Sequence, residues 1–243
     1  MRRLLQSLFG RQPPADAAAT TLVGGLPFEV IQVPGAEAEA TRERLLGRGV
    51  VPVIVGDMDE AERLFEPVLE EGRPDVEAVL KRAARLDIEA WTRERRAEAS
   101  SLLGAVPSLW PSHPPPPRHL TAPREPLGGR FRPQVLLALV PAEHAWEVPA
   151  HLHYGGFESC PPAHVHVALL RHWQRAFGAQ VACLQAALLE CKVERPPATR
   201  EAALDLVEQQ IAYCPALAQQ GAQSVEALAG ILLTARTWHF SWE

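Results

Sequence analysis

Apolar residues change their period along this chain, and each change marks an element. "PFEVIQVPG" (27–35) alternates and closes on Pro-Gly, which predicts a short strand. "AEAEATRERLLGRG" (36–49) reads as a helix ended by glycine. "VVPVIVGD" (50–57) is nearly all apolar and rich in β-branched residues, as a strand covered on both faces would be. This β-α-β order suggests a parallel pair. Asp57 or Asp59 then caps the next helix, with Glu60 completing a capping box with Asp57. Carboxylates just past a strand's C-terminal end also stand where α/β sheets bind ligands, but capping accounts for the same residues. Pro74 fits the first turn of a long helix through about Ser100, with Val76, Val79, Leu80, Ala83, Leu86, Ala90 and Trp91 on one face. Glu77 with Lys81, and Glu89 with Arg93, are favourably ordered pairs on its outside.

Between residues 107 and 129 the text becomes "PSLWPSHPPPPRHLTAPREPLGG", where proline removes donors and fixes φ, so this part runs extended or irregular. Beyond it, "PQVLLALVPA" (133–142) predicts a buried strand. A helix starts at Pro161 or Pro162, with Val165, Leu169, Leu170, Trp173, Ala176 and Phe177 as its core stripe. "QVACLQAALLECKV" (180–193) is compatible with a helix by composition. "ATREAALDLVEQQIAYC" (198–214) is a helix capped by Thr199, broken at Pro215 and stopped at Gly221, and a last helix starts at Ser224. "TWHFSW" (237–242) alternates, placing Trp238, Phe240 and Trp242 on one face of a terminal strand. The expected fold is α/β (α+β), a mixed sheet flanked by helices. Its organisation is a tail over 1–20, a βαβα region over 21–106, a proline-rich linker or strap over 107–130, and a C-terminal domain over 131–243.

Composition narrows the partners. With 243 residues, 47% of them hydrophobic and 22% charged, the chain can bury a core. A net charge of −5 and a pI near 6.0 argue against nucleic acid, whose phosphates demand clustered Lys and Arg. The basic run Arg93-Glu94-Arg95-Arg96 is interrupted by glutamate and reads as a solvated helix face. The apolar stretch near the N-terminus is broken by Gln6 and Ser7 and ends at Gly10, short of a secretory or membrane segment. A cytoplasmic, membrane-free protein with four reduced cysteines is the expectation.

The chemistry concentrates between His144 and Trp173, which hold six of nine histidines and Cys160. A zinc site needs three or four converging ligands, usually as close C-x₂-C or H-x₃-H pairs, and neither spacing occurs. In extended chain His151 and His153 point the same way, leaving a mixed site with Cys160 open, whereas on a helix His164 and His166 lie roughly 200° apart. No metal and no cofactor is therefore assigned. In "CPPAH", Cys160 stands at the expected helix N-cap and His164 one turn on, an arrangement that lowers a thiol's pKa. The alternative is a small buried cysteine in a turn. G-x-S-x-G, Walker and G-x-G-x-x-G patterns are absent, and "YGG" at 154–156 signals only a turn.

Several motifs in order are similar to a known family: Trp146-Glu-Val-Pro-Ala150, Gly155-Gly-Phe157, Cys160-Pro161, the helix with His164, Arg171 and Trp173, then Pro196-Pro197, Gln209 and Tyr213-Cys214. From about residue 131 onward the chain resembles domain of unknown function 4253, a bacterial family with no established activity. The resemblance implies two strands over 180–193, and it groups Trp146, Glu147, Cys160, His164, Trp173, Gln209, Tyr213 and Cys214. Phe157 and Glu158 depart from the family's Gly-Gly-Trp-Asn, and Pro215-Ala216 from its acidic position after the second cysteine.

Three functions compete. The first is a non-enzymatic binding or protein-interaction module, of immunity or accessory type, taking a protein partner or small ligand. Its binding residues would be Trp146, Glu147, Tyr154, Trp173, Gln209, Tyr213 and Cys214, and it is favoured by ten of fifteen aromatics lying from Phe131 onward. The second is a thiol enzyme or redox protein using Cys160, with His164 as base or counter-charge and Glu147 or Tyr213 nearby. The third is a metal-binding protein.

Overall fold

A computed structural model describes residues 20–22, 25–99, 110–111, 118–126, 129–219 and 224–242. Residues 1–19 of the tail, and 107–109, 112–117 and 127–128 of the proline-rich stretch, thus lie outside the described residues. Strands from both halves of the chain join one seven-stranded sheet: β1 (Thr20–Leu22), β2 (Glu29–Val33), β3 (Val51–Gly56), β4 (Val135–Val140), β5 (Gln180–Gln185), β6 (Leu188–Lys192) and β7 (Thr237–Ser241), in the order β1-β2-β4-β3-β5-β6-β7. The fold is α/β with a mixed sheet, as the patterning predicts. β3 and β5 form its parallel pair, and the other neighbours run antiparallel.

The suggested parallel pairing of β2 with β3 does not occur, because β4 lies between them and bonds antiparallel to both. The β-α-β order gives the two strands the same direction, but "VLLALV" is apolar enough to take the buried central place. β5 and β6 form a hairpin, so 180–193 is two strands.

Side chains alternate between two cores. On one face Val51, Val53 and Val55 join Leu136, Ala138, Leu189, Cys191, Trp238, Phe240 and Trp242. This face is covered by α2 (Met58–Glu71), α6 (Ala163–Phe177), α7 (Arg200–Tyr213) and α9 (Val225–Leu232). On the other face Ile31, Val33, Ile54, Val135, Leu137, Ala182 and Cys183 lie under Ala38 of α1 (Ala38–Leu45) and under Leu120 and Ala122, which cross the sheet without regular structure.

The long helix expected from Pro74 is two helices, α3 (Val76–Ala84) and α4 (Ile88–Ala99). Asp75 and Asp87 each accept a backbone N–H three residues on, from Ala78 and Ala90, so the second aspartate starts a new helix where the apolar spacing alone runs on. Glu77 and Lys81 pair at 2.6 Å. At the C-terminal end of β3, Asp57 and Glu60 form the expected capping box, with bonds of 3.1 and 2.7 Å. Arg132 binds Asp57 and reaches Glu60 at 2.9 Å, so one guanidinium already pairs with both carboxylates. The remaining helices are the short α5 (Val148–His151) and α8 (Ala216–Gln219).

Candidate functional site

The turn before α6 decides what the sulphur of Cys160 meets. The helix begins at Ala163 with Pro162 as its N-cap, so Cys160 lies two residues ahead of the cap and not on it. Gly155 and Gly156 have φ of +91° and +86°, and the Gly156 N–H donates to the carbonyls of Cys160 and Pro161 at 3.2 and 3.0 Å. A Cβ on Gly155 would fall 2.0 Å from the Pro161 oxygen and 2.6 Å from Nε2 of His166, so only glycine lets the loop close over that ring.

The ring beside Cys160 is that of His166, not of His164. Cys160 Sγ lies 3.4 Å from His166 Nε2, and His166 Nδ1 lies 2.6 Å from the Tyr213 hydroxyl. His164 is half-buried, and its pKa is lowered by burial and then by Arg82. His166 is fully buried. It falls on the same helical face as Leu169, Leu170 and Trp173, one to two turns on, and that phase was the available signal. Ala176, expected in the core stripe, is exposed.

Around this triad the aromatic residues close tightly. Tyr154 lies 4.9 Å from the His166 ring, and Tyr213 is flanked by Trp173, Phe240 and Trp242 at 5.1, 4.9 and 5.2 Å. Trp242 Nε1 donates to the Tyr213 carbonyl, Trp173 Nε1 to Gln209 Oε1, and the Cys214 thiol to the Ser241 carbonyl. Trp173, Gln209, Tyr213 and Cys214 therefore join Cys160 in one interior cluster. Trp146 and Glu147 stand elsewhere. Trp146 stacks on His144 beneath Arg171, and Glu147 accepts the backbone N–H groups of Glu143 and His144 in a short 3₁₀ turn.

The electrostatics of the cluster oppose proton transfer. Burial, with Cys214 nearby and the Gly156 amide opposing, pushes the Cys160 thiol far above its ordinary value. Burial pulls His166 down to about 3, against the Pro161 carbonyl. Burial likewise raises the phenols of Tyr154 and Tyr213. A thiolate–imidazolium pair needs the opposite shifts. The lowered thiol pKa expected from an N-cap position is thus corrected, because Cys160 is only 4% exposed and stands two residues ahead of the cap.

Nor do His151 and His153 form the extended pair considered above: His151 ends α5, and His153, at φ +49°, meets the Gly72 carbonyl at 3.1 Å. Among the described residues no group of three or more His, Cys, Asp or Glu side chains is placed to hold a metal ion.

A different place has open space. Between α7, α9 and β7 lies a cavity of 40 Å³ bordered by Leu228, Ile231, Gln210, Trp238 and, at its rim, the exposed Arg118. Gln210 is 5% and Trp238 2% exposed, yet among the described residues Gln210 Nε2 and Trp238 Nε1 have no hydrogen-bond partner. Sequence reasoning did not single out this site, because Gln210, Trp238 and Arg118 come from three separate elements.

Residues 136–243 match the family model Domain of unknown function (DUF4253). The match covers β4 to β7 and leaves β1 to β3 outside, although those strands complete the same sheet. It contains the whole Cys160–His166–Tyr213 cluster and, except for Arg118, every cavity residue named above. No curated protein and no solved structure matches the chain. Among the described residues no helix is long and apolar enough to cross a membrane.

Proposed function

We propose that this is a non-enzymatic binding protein of the cytoplasm whose ligand enters the cavity between α7, α9 and β7. The observation that carries the reading is a pair of buried N–H donors on residues that line that space, Gln210 Nε2 and Trp238 Nε1, left without acceptors among the described residues. A buried donor without a partner costs about 1–3 kcal/mol, so an acceptor supplied from outside would gain most of that on binding. The interior cluster then serves as scaffold, holding α6 and α7 against the sheet. Four free, buried cysteines fit a reducing compartment.

The test is a nitrogen-15 proton correlation spectrum, in which the indole signal of Trp238 is assigned by Trp238→Phe. Small acceptor-bearing molecules of a few non-hydrogen atoms are expected to move that signal saturably and leave the Trp146 indole in place. If none moves it at millimolar concentration, the binding reading fails.

Thiol chemistry makes a separate prediction. On the folded protein at neutral pH, Cys160 should be alkylated by iodoacetamide no faster than Cys183 or Cys191, both fully buried, and all four should label once urea unfolds the chain. Labelling of Cys160 at least tenfold ahead of the others would restore the enzyme reading.

A further inference from the structure

We infer that the ligand of this cavity is a short aliphatic monocarboxylate, an inference that rests on the binding reading and names its chemistry. Size comes first. At 40 Å³ the cavity exceeds what one water needs, ~10–15 Å³, and falls well short of the ~150 Å³ that takes benzene. Its occupant is therefore a small group, and α7 and α9 give it aliphatic walls, including Leu228 and Ile231.

Polarity comes second. Both unpartnered atoms, Gln210 Nε2 and Trp238 Nε1, are N–H groups, so the occupant must bring lone pairs. Charge comes third. Arg118 is the one Lys or Arg among the described lining residues, and none of them is Asp or Glu. A carboxylate satisfies all three conditions. Its two oxygens accept from both donors, its charge meets the guanidinium, and its alkyl chain lies along the walls. Bonds to an ionised acceptor are about twice as strong as neutral ones, which separates it from an amide or alcohol of equal size.

Acetate, acetamide and methylammonium, each smaller than benzene, distinguish the possibilities when followed at the Trp238 indole. Acetate should bind at least tenfold more tightly than acetamide, and methylammonium not at all. Arg118→Gln, at an exposed position, should remove the preference for acetate without changing the melting temperature. Equal binding of acetate and acetamide, or an acetate preference that survives Arg118→Gln, would overturn the carboxylate assignment while leaving a ligand cavity. Binding of none of the three, or of methylammonium alone, would overturn the assignment. If the wider set of small molecules also leaves the indole unmoved, the binding reading falls with it.

Discussion

Lowering the pH from 7 to 5 should cost the folded protein about 2 kcal/mol through His166 alone. The imidazole is fully buried, and burial takes its pKa from 6.5 in the open chain to about 3 in the fold. Between those values the unfolded chain binds a proton that the native state refuses, so stability rises with pH and falls on acidification. The loss begins as pH drops through 6.5 and is complete only below about 3. The Pro161 carbonyl favours the cation but is outweighed by burial: Nε2 faces the Cys160 sulphur at 3.4 Å, Nδ1 faces the Tyr213 hydroxyl at 2.6 Å, and the Tyr154 ring packs beside the imidazole at 4.9 Å. His164 opposes the charge as well. Urea midpoints at pH 7, 6 and 5, read by tryptophan fluorescence, measure the slope. His166→Asn, which cannot titrate, should be less stable at pH 7 but nearly flat by comparison. An equal slope in both proteins would mean that other histidines carry the acid sensitivity.

His166 also shows where sequence reading reached its limit. The apolar periodicity of α6 was legible, and so were the glycine turn, the terminal aromatic strand and the Asp57–Glu60 box, because each depends on neighbours a few residues apart. Assigning the imidazole to His164 instead of His166 was a local error of another kind. A cap position for Cys160 points to His164, whereas the helical phase turns His166 inward with Leu169 and Trp173. Strand order was beyond local reasoning, since β4 enters between β2 and β3 from the other half of the chain. The donors beside the cavity belong to the same class: what leaves Gln210 and Trp238 without partners is the joint placement of α7 and β7.

Glu190 was invisible in sequence for the same reason, and it supports the second large expectation. In "LLECK" it is a charged residue in the middle of an interior strand, fully buried on the sheet face opposite Leu189 and Cys191. Its carboxylate accepts from the Thr121 amide at 2.9 and 3.0 Å, from the Thr121 hydroxyl at 3.0 Å, from the Ala122 amide at 3.3 Å and from His239 Nδ1 at 3.1 Å. Burial by itself would raise its pKa. The bonds from His239 and Thr121 outweigh that and hold it below 4.5, so its contribution persists above that value and is lost as pH falls through the lower folded pKa. This window opens at 4.5, inside that of His166, so only the His166 effect acts between 6.5 and 4.5 and the two overlap below. Glu190→Ala strips the acceptor from two backbone amides and an imidazole at once and should cost about 3–5 kcal/mol. Glu190→Gln keeps an oxygen and should cost about 1–2 kcal/mol. Because the carboxylate is what draws the chain around Leu120 and Ala122 onto the second core, hydrogen exchange should rise first at the Thr121 and Ala122 amides, ahead of β3 and β4. If Glu190→Ala folds with unchanged stability and those amides stay protected, apolar packing alone holds the segment and the carboxylate is incidental.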